Sequence, residues 1–280
     1  MNRPVPPLKA FAYYGGKNSK LDFILPNLET PHRMYVELFA GSLAVLLNKR
    51  QCEREIVNDL AENVADFWRC LRERRDELIT ALENTPAGET EYKRCISLPP
   101  SDSIVERARR FLVVVTQTFN NVPSGKNCSL RGFIQYNYSR DILPVIADRM
   151  RRVVVENRDA VKMLRRLEGF VWGGKKFCPV LIYADPPYVE ETRSATGQYI
   201  YDNFDHDEFL QAVVSLPPYF RVAISGYGNP LYDKMLDRDG WHRVEFKTGK
   251  YAATHRSGET RTEVLWRNYT LKHSQRGIEL

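Results

Sequence analysis

Asp185-Pro186-Pro187-Tyr188 directly follows an apolar run, Val180-Leu181-Ile182-Tyr183-Ala184. Four positions thus bring together a carboxylate, a carbonyl between two ring-locked residues and a flat aromatic face. That set suits an aryl amine. Such an amine is a poor nucleophile, because its lone pair is delocalised into the ring. To attack an electrophilic methyl group, its nitrogen must become more tetrahedral and gain positive charge. Two acceptors aimed at its hydrogens, the Asp185 carboxylate and the Pro186 carbonyl, favour that change where the charge develops. Proline has a fixed φ and no N–H, so Pro186 and Pro187 hold the carbonyl rigidly. Tyr188 offers a face on which an extruded base can stack. Asp185, Pro186, Pro187 and Tyr188 are therefore candidate catalytic residues. Asp-Pro also begins ordinary turns, but a turn requires no aromatic residue at the fourth place.

Four further segments have the residue types of a nucleoside-cofactor site. Glu37-Leu38-Phe39-Ala40-Gly41-Ser42 ends an apolar strand in a small turn, where glycine lets the backbone approach a ligand closely. Alone it is an ordinary strand–helix turn, with one glycine where the dinucleotide fingerprint has three. Asp59 ends the next strand, 18 residues after Gly41. An acid there can accept from both ribose hydroxyls, or it can cap a helix. Asp159, after a third strand, can accept from an adenine amine or cap the helix that follows. Tyr13-Tyr14-Gly15-Gly16-Lys17 forms a leading loop. The candidate cofactor set is Tyr13, Gly15, Gly16, Lys17, Glu37, Phe39, Ala40, Gly41, Ser42, Asp59, Asp159 and Asp185. No metal is expected: the five cysteines, Cys52, Cys70, Cys95, Cys128 and Cys178, form no Cys-x-x-Cys pair, and no His pair accompanies them.

These residues need a frame, and the hydrophobic pattern predicts one. Strands are expected to end near Phe39, Asn58, Glu156 and Ala184, with others at 220–224, 241–246 and 262–267. Helices are expected near 18–27, from Leu43 to Lys49 with Ser42 as its cap, from Ala160, and near 206–215 and 230–236. Strands alternating with helices predict an α/β fold, a Rossmann-like, mostly parallel sheet with helices on both faces. Between Ala61 and Met150 the period becomes helical, as in Val64, Phe67, Trp68 and Leu71. Pro86, Gly88, Pro99 and Pro100 punctuate 85–101, a helix is expected at 103–119, and Asn120–Gly132 reads as a loop. Residues 65–150 are thus a mostly helical insert in a domain made of 1–64 and 151–280.

The chain has 280 residues, a net charge of +6 and a pI of about 9.0. That balance suits a polyanionic partner, since Lys and Arg release counterions from phosphates. Arg69, Arg72, Arg74, Arg75, Lys93, Arg94, Arg107, Arg109, Arg110, Lys126 and Arg131 crowd the second quarter, followed by Arg149, Arg151 and Arg152. Any one of them can simply be a solvated charge; as a cluster they suggest phosphate contact. No apolar run is long enough to span a bilayer. Met1-Asn2-Arg3-Pro4 lacks the apolar segment of a secretory signal, so a cytoplasmic location is expected.

The motifs in this order resemble the Dam-like, D12-class DNA adenine-N6 methyltransferases. The resemblance rests on Tyr13–Lys17, the Glu37–Ser42 turn, Asn58-Asp59 and Asp185–Tyr188. Ile224-Ser225-Gly226-Tyr227 and Arg261-Thr262-Glu263-Val264-Leu265-Trp266 also look like that family's C-terminal segments. The resemblance implies S-adenosyl-L-methionine as cofactor and a flipped-out adenine in double-stranded DNA as substrate. It further implies a bacterial or phage origin and no obligate protein partner. Tyr13, Lys17, Asp59 and Asp185 match positions in the cofactor or catalytic pocket, and Phe39–Ser42 would wrap the methionine end of the cofactor. The insert would be the target-recognition domain, since Gln117-Thr118-Phe119-Asn120 and Arg131-Gly132-Phe133 resemble family elements. Asn120, Lys126 and Arg131 are the candidate DNA-binding residues, with Arg131 as base reader because Arg pairs bidentately with guanine. Leu43 departs from the pattern, standing where a second glycine is common. Loop 121–130 does not match the GATC-specific members, so the recognised sequence stays open. Alternatives are cytosine-N4 methylation, a non-catalytic DNA-binding protein on the same scaffold, methylation of RNA and a small-molecule methyltransferase.

Overall fold

A computed structural model describes residues 6–118, 128, 132–169, 179–188, 204–246 and 262–271, with backbone only through 132–140. Four parallel strands ending in the candidate motifs lie side by side: β1 (Met34–Glu37), β2 (Arg54–Asn58), β3 (Val153–Glu156) and β4 (Val180–Ala184). With β5 (Phe220–Tyr227), β6 (His242–Phe246) and β7 (Glu263–Arg267) they form one sheet, in the order β3-β2-β1-β4-β5-β7-β6. β5 runs parallel to β4, while β7 is antiparallel to both of its neighbours. The β3-β2-β1-β4-β5 order is that of doubly wound dinucleotide folds, with β7 slotted in before β6. The expected Rossmann-like, mostly parallel sheet is the fold of this chain.

Side-chain alternation along β4 shows how the sheet is covered. Leu181 and Tyr183 enter one core, with α1 (Leu21–Asn27), α2 (Ala44–Asn48), α3 (Glu62–Glu73), α6 (Ile104–Gln117) and α7 (Gly132–Met150). Val180, Ile182 and Ala184 enter the other, with α8 (Ala160–Glu168), α9 (His206–Val214) and α10 (Pro230–Leu236). The helices between β2 and β3 therefore share the first core with the sheet: Phe67, Trp68, Leu112 and Leu143 belong to the same buried cluster as Tyr35 and Val57. Glu55 of β2 reinforces this junction, taking Lys49 after α2 at 2.6 Å and Arg149 of α7 at 2.6 Å.

Two local outcomes differ from expectation. The punctuated stretch 85–101 contains a helix, α5 (Glu89–Ser97), following α4 (Arg75–Glu83). Pro86 and Gly88 precede it and Pro99-Pro100 follow it, so no breaker lies inside, and Tyr92 and Cys95 supply a buried face. Ser42 does not cap α2: that helix opens at Ala44 after Leu43, which has φ 52° and receives no side-chain cap. A left-handed leucine costs about 1–2 kcal/mol. Full burial of Leu43 in the first core, at a position that glycine would adopt freely, offsets that cost.

Candidate active site

The crevice beyond the carboxyl ends of β1 and β4, where the strand order reverses, is where open α/β sheets bind ligands. A cavity of 330 Å³ lies there, in the range of small-molecule sites, roughly 300–1,000 Å³. Its wall is built from six segments remote in sequence.

The leading loop turns because Gly16 N–H donates to the Tyr13 carbonyl at 2.9 Å, with Gly15 at φ 74°. That positive φ at the third position of a turn is one glycine adopts without strain. A Cβ on Gly16 would stand 3.0 Å from the Tyr13 carbonyl and 3.3 Å from Ser42 Oγ. Gly41, at φ 44°, has the Tyr13 ring against it. Glycine thus lets the loop and the β1 turn close on one another along the cavity.

Asp59 clasps that turn. One of its oxygens accepts from Gly41 N–H and the other from Ala61 N–H, each at 2.9 Å. Burial pushes its carboxyl up to about 6, against these donors. Asp59 therefore orders the backbone around α3 while its side chain faces the cavity. Asp159 likewise combines both readings of the sequence: it caps α8 through Lys162 N–H at 3.0 Å and lines the cavity. Trp68 of α3, which motif reasoning missed, donates from its indole to the Gly41 carbonyl at 2.9 Å. Only the packing of α3 on the turn reveals it.

Glu37 is almost wholly buried at the end of β1, where one oxygen accepts from Tyr35 O–H at 2.8 Å and Leu46 N–H at 3.0 Å. Burial outweighs these donors and raises its carboxyl from 4.5 to about 8. The folded protein then keeps a proton that the unfolded chain releases, so stability falls as pH rises from about 4.5 to about 8. Glu37→Gln imitates the protonated form. It is expected to match the wild type near pH 5 and to exceed it near pH 9 by on the order of a few kcal/mol. Urea unfolding across that range measures the effect; an unchanged pH slope in the variant would show that Glu37 is not the titrating group.

Asp185 is at the far wall. Its Oδ1 takes Lys17 Nζ at 2.7 Å and the Ser225 hydroxyl at 3.0 Å. Lys17 also donates to the Gly15 carbonyl at 3.2 Å and the Tyr188 hydroxyl at 2.9 Å, and lies 3.4 Å from Glu263. Glu263 further pairs with Lys20. Burial raises the Asp185 carboxyl against the opposing pull of Lys17. Burial alone would lower the Lys17 ammonium; Asp185, Tyr188 and Glu263 outweigh it and hold the ammonium well above its usual range. One face of Tyr188 stacks on Tyr227, with centroids 4.3 Å apart. Ser225 and Glu263 come from the two C-terminal segments that carry the family resemblance, without a role assigned there, and Lys20 lies outside every quoted motif.

All twelve candidate cofactor residues line the cavity, and Asp185, Pro186 and Pro187 of the candidate catalytic set do so too. Tyr188 joins through its bond to Lys17. Phe204, absent from the candidate set, also lines the cavity and meets Phe39 edge to face at 5.3 Å. Asn120, Lys126 and Arg131 lie outside the described residues.

The described cations of the helical segment are paired with acids, Arg149 with Glu55 of β2 and the others mostly within the segment. Asp66 takes Arg69 and Arg107, Glu106 takes Arg109 and Arg110, and Glu91 takes Arg94 and Arg109. Arg72, Arg74, Arg75 and Lys93 pair with Glu73, Glu77, Asp76 and Glu89. Arg109 is buried among its partners and contributes to the core rather than to the surface. The exposed pairs, screened by water, can exchange a carboxylate for a phosphate. Among the described residues, no helix is long and apolar enough to cross a membrane, and no three His, Cys, Asp or Glu side chains cluster to hold a metal ion.

Sheet order, switch-point cavity and clasped glycine turn define a Rossmann-like domain with a candidate ligand site at its switch point. Residues 13–95 match the family of D12 class N6 adenine-specific DNA methyltransferases, so the resemblance carried by the motifs is shown over that segment. The matched stretch holds the leading loop, the β1 turn and Asp59; Asp185–Tyr188 lies beyond it. No curated protein matches the chain. Among solved structures, a SAM-dependent methyltransferase from Agrobacterium tumefaciens aligns at TM-score 0.38 and 12% identity, over 91% of this chain. This chain spans 62% of that structure's length. The rRNA methyltransferase aviRa from Streptomyces viridochromogenes aligns at TM-score 0.37 and 14% identity, over 90% of this chain and 83% of its own.

Proposed function

We propose that the protein is a site-specific DNA methyltransferase that transfers a methyl group from S-adenosylmethionine to the N6 amine of an adenine flipped out of double-stranded DNA. The observation that carries this reading is the convergence on one switch-point cavity of the leading loop, the β1 turn, Asp59, Asp159 and Asp185-Pro186-Pro187.

The residues fit the cofactor. Gly16 and Gly41 leave room for close backbone approach, and Asp59 and Asp159 present acceptors suited to ribose hydroxyls and an adenine amine. Phe39 supplies an apolar wall, and Phe39–Ser42 would border the methionine end. When bound, S-adenosylmethionine supplies an electrophilic methyl group. The chain's own residues then align and activate the amine. Asp185 and the Pro186 carbonyl accept its hydrogens, which favours the positive charge that nitrogen gains. Tyr188 supplies an aromatic ring on which the base can stack. Alignment of the reacting groups contributes much of the remainder. The helical segment 65–150 is assigned to target recognition, with Asn120, Lys126 and Arg131 assigned to DNA contact, and the rest of the chain to methyl transfer. A DNA substrate is consistent with work in the cytoplasm of a bacterium or of a phage-infected cell, and the reading invokes no obligate protein partner.

Incubation with S-adenosylmethionine and duplex DNA, followed by digestion and mass spectrometry, tests the reading. N6-methyladenine is expected. N4-methylcytosine would favour the cytosine alternative, since the tetrapeptide serves either amine. Methylation confined to RNA, or cofactor binding without any methylated base, would overturn the assignment.

A further inference from the structure

We propose that Ser225 is a positioning residue that, together with Lys17, holds one oxygen of Asp185 and so dedicates the other to the target amine; this rests on the methyl-transfer reading of the site. Both bonds fall on Oδ1, from Lys17 at 2.7 Å and Ser225 at 3.0 Å. Oδ2 is thereby kept for the amine hydrogen. A carboxylate free to rotate about its last torsion would present either oxygen, in a broad range of directions. Two donors on Oδ1 remove that freedom before the substrate arrives.

Ser225 is itself held. Its oxygen lies 2.8 Å from the Tyr183 hydroxyl, both residues are fully buried, and their strands β4 and β5 are paired neighbours. An ionised Asp185 only accepts, so Ser225 must donate to it. Tyr183 must then donate to Ser225. The chain Tyr183 to Ser225 to Asp185 has one direction, and each hydroxyl depends on the one before it. Tyr183 thus acts through Ser225 alone, without a bond to Asp185.

Among the described residues, the titratable groups facing Asp185 are Lys17 from the leading loop, Glu37 from β1, Tyr183 just before it, Tyr188 beyond it, Glu263 from β7 and Tyr232 from α10. Ser225 bonds to none of them except Tyr183. Loss of the Ser225 hydroxyl removes a donor from the charged form of Asp185, so its carboxyl must rise further.

Ser225→Ala is expected to lower kcat about tenfold or more, with KM for S-adenosylmethionine and for DNA nearly unchanged. The acid limb of the kcat–pH profile moves to higher pH. Tyr183→Phe gives a smaller change in the same direction. The double variant is expected to be no slower than Ser225→Ala, because the tyrosine acts through the serine. Wild-type kcat in Ser225→Ala, or losses that simply add in the double variant, would overturn the proposal. Carbon-13 NMR titration of Asp185 in the free protein reads the same bond without turnover. An upward shift in Ser225→Ala is expected there, and an unmoved titration would sink the positioning role. Absence of methyl transfer by the wild type would instead overturn the functional reading on which it rests.

Discussion

Asp185→Ala is expected to cut methyl transfer by on the order of 10²–10³-fold or more, the loss typical of removing one group that stabilises developing charge. DNA binding should largely persist, because the residues assigned to DNA contact are untouched. The fold should persist as well: Lys17 keeps Glu263 at 3.4 Å and the Tyr188 hydroxyl at 2.9 Å, so its ammonium is not left without acceptors. Asp185→Asn keeps the shape but replaces a charged acceptor with a neutral one, and should fall between the two. Single-turnover rates with saturating DNA separate the chemical step from binding. In the wild type the same rate should drop at low pH, because protonation removes the acceptor. Burial raises the Asp185 carboxyl, so that drop should begin above the ordinary aspartate range. Undiminished methylation by Asp185→Ala would refute the mechanism.

Lys17→Met should have the largest effect on stability. Lys17 is 3% exposed and lies between Asp185, 20% exposed, and Glu263, 2% exposed. Methionine fills a similar volume without charge. Two carboxylates would then share a buried site without their central cation, and breaking such a cluster costs about 3–5 kcal/mol. Lys20 still meets Glu263, so Asp185 bears most of the loss. The pH dependence has a definite sign. In the wild type the ammonium is held above its ordinary range, so its contribution is complete at neutral pH and is lost only in alkali. In the variant, the Asp185 carboxyl, already raised by burial, rises further. A folded state that holds this proton loses stability as pH increases above the ordinary aspartate range. Destabilisation should therefore be smallest near pH 5 and largest near pH 8, measured by urea midpoints. A variant as stable as the wild type at pH 8 would show that Lys17 is not the counter-ion of this cluster.

Much of the frame was legible because it is local. Val180–Ala184 reads as a strand from its apolar run, and the structure places β4 there. Pro230–Leu236 is a helix where the sequence indicates one, with the Asn229 side chain capping it. The chemically distinctive residues were legible too, since Asp185-Pro186-Pro187-Tyr188 follows its strand as an unusual set of residue types, whereas the approach of Gly16 to the Gly41-Ser42 turn is a tertiary contact. Alternation of strands and helices was sufficient to predict the parallel core of the sheet. It did not indicate that α3, α6 and α7 would share a core with Tyr35 and Val57, because periodicity reveals a buried face and not its partner.

What only tertiary structure decided is which groups share charge. The arginines of the helical segment look like a cationic surface in sequence, yet Asp66, Glu91 and Glu106 bind Arg107, Arg109 and Arg110 within it. Composition counts charges without pairing them. Lys17 and Tyr188 are 171 positions apart and meet at 2.9 Å; no spacing rule reaches that far. Leu43 holds a left-handed backbone that its side chain disfavours, and burial compensates for it. The residue types at Asp185-Pro186-Pro187-Tyr188 were enough to suggest amine chemistry from sequence alone. The direction in which Asp185 points depends on Lys17, Ser225 and Tyr183, brought to it by the leading loop, β5 and β4, because orientation is set by contacts and contacts by the packed fold.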